Sequence, residues 1–141
     1  MRNGYQAYII RYMANYRNNK LNDTTNILKA LSDPNRIRIV MSLSGGELCV
    51  CRIIELLQLA PSTVSKHLSI LRQADLIEAS KKGRWIYYKL SNHTKNKTLK
   101  EIVKWLEKSL KEDDRITKDK KLMARILKED PEKLCAKIKK K

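Results

Sequence analysis

The stretch "GGELCVC" places two of the chain's three cysteines, Cys49 and Cys51, one residue apart. Thiolates are soft ligands, so two within one turn can grip a soft ion or exchange with a disulfide. In a regular helix residues i and i+2 point roughly 200° apart, so one buried stripe accommodates at most one of these thiols. They follow Gly45-Gly46, at an expected helix start, where unpaired N–H groups and the positive end of the dipole favour the thiolate form. For both to reach one ion, that first turn must be irregular or must unwind. The third thiol, Cys135, stands beside Leu134 near the C-terminal end. It is either a small hydrophobe on a short helix or a further ligand, and three thiolates hold a soft ion far better than two. Zinc is disfavoured, because a closed site wants four nitrogen or sulfur ligands. The two histidines, His67 and His93, lie at no chelating spacing from the cysteines.

A second set of side chains suits nucleic acid. In "PSTVSKHLSILRQADL", Val64, Leu68 and Leu71 at i, i+4 and i+7 form the inner stripe of a helix. Ser62, Thr63, Ser65, Lys66 and Ser69 are left on its outer face. Short hydroxyls let a helix approach base edges and phosphates closely, and a lysine adds charge-assisted contacts. His67 borders the inner stripe and reads either as a hydrogen-bonded boundary residue or as a phosphate contact. Lys81, Lys82 and Arg84 cluster where a hairpin turn is expected, in position for backbone or minor-groove contact.

The elements that must position these groups follow from periodicity and punctuation. Tyr5, Tyr8/Ile9, Tyr12/Met13 and Tyr16 recur at helical spacing. Two helices are expected between Asn22 and Leu43, the second capped by Asp33 with Pro34 in its first turn. A short helix from about Leu48 to Gln58, a break at "QLAP" and a second helix from Pro61 to about Gln73 read as a helix-turn-helix. The period then changes to two. "LIEAS" and "RWIYYKL" are strand-like and are joined through Gly83, a β-wing. A helix from about Asn92 to Leu110 carries Leu99, Ile102/Val103, Leu106 and Leu110 on one face, a natural dimerisation surface. Leu122/Met123, Ile126/Leu127, then Leu134 and Ile138 beyond Asp130-Pro131, suggest short helices in a charged tail.

Composition points the same way. The net charge is +16 over 141 residues: +4 in residues 1–22, +4 in 23–91 and +8 in 92–141. Such an excess gathers polyanions, nucleic acid first and an anionic membrane surface second. No segment approaches the roughly 20 apolar residues of a membrane span, and the first residues lack a signal-peptide pattern. An odd cysteine count fits no secreted disulfide framework, so a cytoplasmic setting is expected. A thiol enzyme is disfavoured by the lack of a phosphate loop, a CxxC on a βαβ unit, or a general base beside the thiols.

Residues 28–90, and above all "ELCVC", "PSTVSKHLSILRQADLI" and "GRWIYYKL", resemble the ArsR family of metal-sensing winged-helix repressors. The resemblance implies a homodimer on a palindromic operator, released when an inducer binds. It also implies metal-ligand roles for Cys49 and Cys51. The chain departs from the arsenic-type pattern at Ile54, where a third cysteine is expected, and from the cadmium/lead type in having no cysteine in residues 1–22. It departs from the zinc pattern in offering only His93 on the last helix of the motif. With Cys135 as third ligand, trivalent arsenic or antimony is the implied inducer, with no organic cofactor. The expected fold is mainly α with a small β-hairpin, a winged helix-turn-helix dimerising through terminal helices. Residues 1–22 form an N-terminal extension with a helical pattern, 23–112 the DNA-binding and dimerisation domain, and 113–141 a basic tail with short helices. An oxidation-sensing repressor of the same fold, with Cys49 or Cys51 pairing to Cys135, and a non-specific architectural nucleic-acid binder, are the alternatives.

Overall fold

The computed structural model describes residues 3–17, 20–92 and 97–140, with the side chains of 15–17 left aside. In chain order the helices and strands are α1 (Gly4–Arg17), α2 (Lys20–Leu31), α3 (Pro34–Leu43), β1 (Leu48–Cys49), α4 (Val50–Leu57), α5 (Pro61–Gln73), β2 (Ile77–Lys82), β3 (Trp85–Leu90), α6 (Lys97–Ser109), α7 (Asp114–Ile126) and α8 (Pro131–Lys139). His93 lies outside the described residues.

α3 starts as its sequence dictates. The Asp33 carboxylate accepts from the backbone N–H groups of Asn35 and Arg36 at 2.8 and 3.2 Å, and Pro34 occupies the first turn, where its missing N–H costs nothing. α4 ends at Gln58, which takes a left-handed conformation with φ 54°, and Pro61 opens α5 two residues after Leu59. This is the tight turn of a helix-turn-helix. In the wing, β2 and β3 pair antiparallel with Lys82 opposite Trp85. Gly83 and Arg84 form the two-residue turn, and Gly83 has φ +63°, which a residue without Cβ adopts freely.

Two expectations are corrected. The helix read from Leu48 begins instead at Val50, because Leu48 and Cys49 form a short strand opposite Tyr88 and Tyr87. The hairpin is therefore a three-stranded sheet of order β1-β3-β2. The apolar face of α6, read as a free dimerisation surface, is spent on the chain's own core: Leu99, Val103 and Leu106 are buried with residues of α3, α4 and α5. The large apolar side chain that α6 leaves exposed is Trp105, at 65%.

One aliphatic core, with Ile39, Val40, Ile53, Val64, Leu68, Leu71 and Leu76 at its centre, joins α3, α4, α5 and the sheet. Burial on that scale, at roughly 25 cal/mol per Å² of apolar surface, is the main stabilising term. A smaller cluster of Leu56, Ile126 and Leu134, flanked by Leu122, Met123 and Ile138, fastens α7 and α8 to the other side of α4. α7 is pinned to α3 by a buried pair. Arg38 donates to both carboxylate oxygens of Asp119 at 2.7 and 2.9 Å, and also to the Leu56 carbonyl (3.2 Å) and the Asn35 side chain (3.0 Å).

Candidate nucleic-acid interface and thiol site

α5 is seated by Val64, Leu68 and Leu71, all essentially without exposure. That orientation leaves Ser62, Thr63, Ser65, Lys66 and Ser69 in solvent on one side. An outer face of hydroxyls and one cation, borne by a helix whose other side is locked in the core, can enter a major groove without refolding. His67 is placed differently. It is half-buried, its Nδ1 lies 3.2 Å from an Arg36 guanidinium nitrogen and 4.0 Å from the Asp33 carboxylate, and Arg36 donates to the Ala30 carbonyl at 2.6 Å. His67 therefore ties α5 to the α2–α3 junction.

The wing cations are exposed, and two of the three already have carboxylate partners. Lys82 Nζ lies 2.6 Å from Glu47 Oε1, with the Tyr87 ring 5.1 Å away. A guanidinium nitrogen of Arg84 lies 2.9 Å from Glu132 Oε1, with the Trp85 ring 5.8 Å away. Lys81 has no ion-pair partner among the described residues. Glu47 and Glu132 escaped the sequence reading. Glu47 adjoins the "LCVC" stretch, but nothing local announces that it will meet a wing residue 35 positions on.

The thiols separate into a pair and a single. Cys49, at the N-cap of α4 in extended conformation, is 2% exposed and stands opposite Tyr87 of β3. Cys51, the second residue of α4, forms a disulfide with Cys135 of α8 across a Cα–Cα distance of 5.4 Å. The helical geometry expected for positions 49 and 51 does not apply, because Cys49 ends β1 and only Cys51 lies in α4; Cys49 is a free, buried thiol and Cys51 is paired. No group of three or more His, Cys, Asp or Glu side chains among the described residues is placed to hold a metal ion. The three sulfurs therefore fit a three-coordinate soft ion only after a rearrangement that brings Cys49 to the other two. Cys51 and Cys135, as reduced thiols on backbones this close, fit two-point bridging without further movement of α8. Lys137, two residues beyond Cys135, reaches Glu55 of α4 at 3.4 Å and reinforces the same seam.

Comparison with known proteins agrees with this architecture. The family described as "Bacterial regulatory protein, arsR family" matches residues 33–79. An uncharacterized HTH-type transcriptional regulator, MJ1325, of Methanocaldococcus jannaschii is 36% identical over 89 residues, covering 62% of this chain and 96% of that protein. The arsenical resistance operon repressor of Escherichia coli is 41% identical over 68 residues, covering 48% of this chain and 58% of its own length. Among solved structures, HlyU from Vibrio cholerae superposes with a TM-score of 0.58 at 26% identity, covering 64% of this chain and 95% of that one. The matched region holds Cys49, Cys51 and α5, whereas α7 and α8 lie beyond residues 33–79. With its helix-turn-helix, its wing and these relatives, the chain belongs to the arsR family of bacterial regulatory proteins, DNA-binding transcription regulators of winged-helix fold.

Proposed function

We propose that the chain is a transcriptional repressor, a homodimer on a palindromic operator, that leaves DNA when Cys51 and Cys135 become bridged. The observation that carries this reading is the approach of two thiols 84 residues apart in sequence, one on the helix that supports α5 and one on α8. On the operator each protomer places α5 in a major groove, with Ser62, Thr63, Ser65, Lys66 and Ser69 at bases and phosphates. Lys81, Lys82 and Arg84 meet the backbone, and His67 fixes the helix or adds a phosphate contact. Half-sites then stand about 34 Å apart. Dimer contacts fall to the apolar residues left exposed on α1 and α2 and to Trp105.

Trivalent arsenic or antimony is the bridging agent that a relative named as an arsenical resistance operon repressor suggests. On arsenous acid, each thiol that exchanges with a hydroxyl forms one As–S bond and releases one water, its proton leaving with the hydroxide. Two exchanges bridge Cys51 to Cys135. A third recruits Cys49, which must leave its place beside Tyr87 and unwind the start of α4. Because α4 packs on α5, that movement re-aims the reading helix, a coupling of about 1–3 kcal/mol in operator affinity. The test is a gel-shift titration with arsenite on the wild type and on Cys49→Ser, Cys51→Ser and Cys135→Ser. Cys51→Ser and Cys135→Ser should stay on the operator. Release that persists when both are replaced contradicts the reading.

The disulfide itself favours a second reading, in which the signal is an oxidant. Hydrogen peroxide takes two electrons and two protons from the Cys51 and Cys135 thiols, leaving an S–S bond and two waters. Mass spectrometry after peroxide or arsenite treatment distinguishes loss of two hydrogens from gain of arsenic.

A further inference from the structure

We propose that α8 is an inhibitory arm of the wing, in which Glu132 competes with operator phosphate for Arg84 whenever Cys51 and Cys135 are bridged. The inference rests on the thiol reading above and supplies the route by which that site reaches DNA.

Three features of α8 converge. Glu132 and Cys135 are three residues apart, on one face of the helix. The helix as a whole is held against α4 by the Cys51 link, by buried Leu134 and by the Lys137–Glu55 pair. The helix start is fixed by the Asp130 carboxylate, which accepts from the Glu132 N–H at 3.1 Å. The Glu132 carboxylate is thereby delivered to Arg84, 48 positions away in sequence, at 2.9 Å.

Arg84 sits in the turn of the wing, 74% exposed, where a cation would otherwise meet the phosphate backbone. A carboxylate on its guanidinium occupies the donors that a phosphate oxygen needs and cancels the charge that releases counterions on binding. An exposed ion pair between free side chains is worth little, because ordering both ends offsets the attraction. Here each end stands on an element ordered for other reasons: α8 by its seam with α4, and the wing by its strand pairing. When the bridge opens, α8 keeps only the small Leu56–Ile126–Leu134 cluster and surface pairs, and Arg84 is available to DNA.

The experiment uses the full chain and an operator duplex selected from a random pool by the reduced protein. Affinity is read by fluorescence anisotropy across salt concentrations, with reductant or after peroxide oxidation. The variants are Glu132→Gln, Arg84→Gln and the double variant. Glu132 is 62% exposed, so its substitution leaves the core alone. The expected result is that Glu132→Gln tightens the oxidised form about two- to fivefold, the range of one exposed pair. It should leave the reduced form unchanged and have no effect in the Arg84→Gln background. The salt slope of the reduced wild type should exceed that of the oxidised form by about 0.9 per wing phosphate regained. Equal tightening of both forms, or tightening without Arg84, overturns the arm. A bridge-dependent affinity untouched by Glu132→Gln also overturns it while leaving the thiol reading intact. An operator affinity indifferent to oxidation removes the thiol reading and the arm with it.

Discussion

The DNA-reading half of the molecule, α3 to β3, and the C-terminal layer, α7 and α8, are held by different means. The first shares a continuous aliphatic core in which Val64, Leu68 and Leu71 lock α5. The second has a small cluster around Leu56, Ile126 and Leu134, and adds point couplings: Arg38–Asp119, Cys51–Cys135 and Arg84–Glu132. A distributed core tolerates no half-measures, since deleting any part leaves a cavity. A layer fastened at a few points can be set or released one point at a time. Under the proposed function, that contrast puts regulation in the layer fastened at points, which acts on a reader held together by its core.

The contrast can be broken most forcefully at Asp119. Asp119→Ala leaves the Arg38 guanidinium buried without its counter-charge, and losses of about 3–5 kcal/mol accompany that kind of deletion. Urea unfolding should show it. Replacing Arg38 and Asp119 together with apolar residues should recover most of the loss, which separates the pair's net worth from the cost of an orphaned charge. A smaller effect is expected at the staple. Under oxidising conditions Cys135→Ser should lower stability by about 2–4 kcal/mol, because the bond closes a loop of more than 80 residues in the unfolded chain. With reductant present, wild type and variant should unfold together. A difference that survives reduction would mean the thiol contributes by packing and not by its bond. The smallest effect belongs to the reader. Lys66→Gln should weaken every DNA sequence alike and reduce the salt slope by about 1 for each phosphate the side chain no longer neutralises, with unfolding unchanged.

Legibility in the sequence divides along the same line. Asp33-Pro34, the Val64/Leu68/Leu71 stripe, the "QLAP" break and Gly83 each act within a few residues, so local physics announced α3, α5 and the wing. Where the determinant was distant, the signal failed. Leu48 and Cys49 are drawn into a strand by Tyr87 and Tyr88, some 40 residues on, and so the helix start moved to Val50. The stripe on α6 was visible, but whether it meets a second chain or its own core depends on a tertiary neighbour that periodicity does not name. That a regular helix could not bury both Cys49 and Cys51 on one stripe was derivable from geometry, but that Cys49 lies outside the helix was not. The meeting of Cys51 with Cys135 was raised as an option and is realised only because α7 and α8 fold back onto α4. Glu47 and Glu132 offered no local cue, being ordinary surface acids until the wing is placed beside them.

The central claim is that bridging α4 to α8 releases DNA. It is tested most directly by following, in one arsenite titration and one peroxide titration of the full chain, the fraction of Cys51–Cys135 bridged by peptide mass spectrometry and the fraction of operator bound by anisotropy. The account predicts that the two curves mirror each other, with operator lost in proportion to bridging in at least one titration and Cys135→Ser inert in both. Operator still bound after Cys51 and Cys135 are fully bridged, by arsenic or by disulfide, would contradict it.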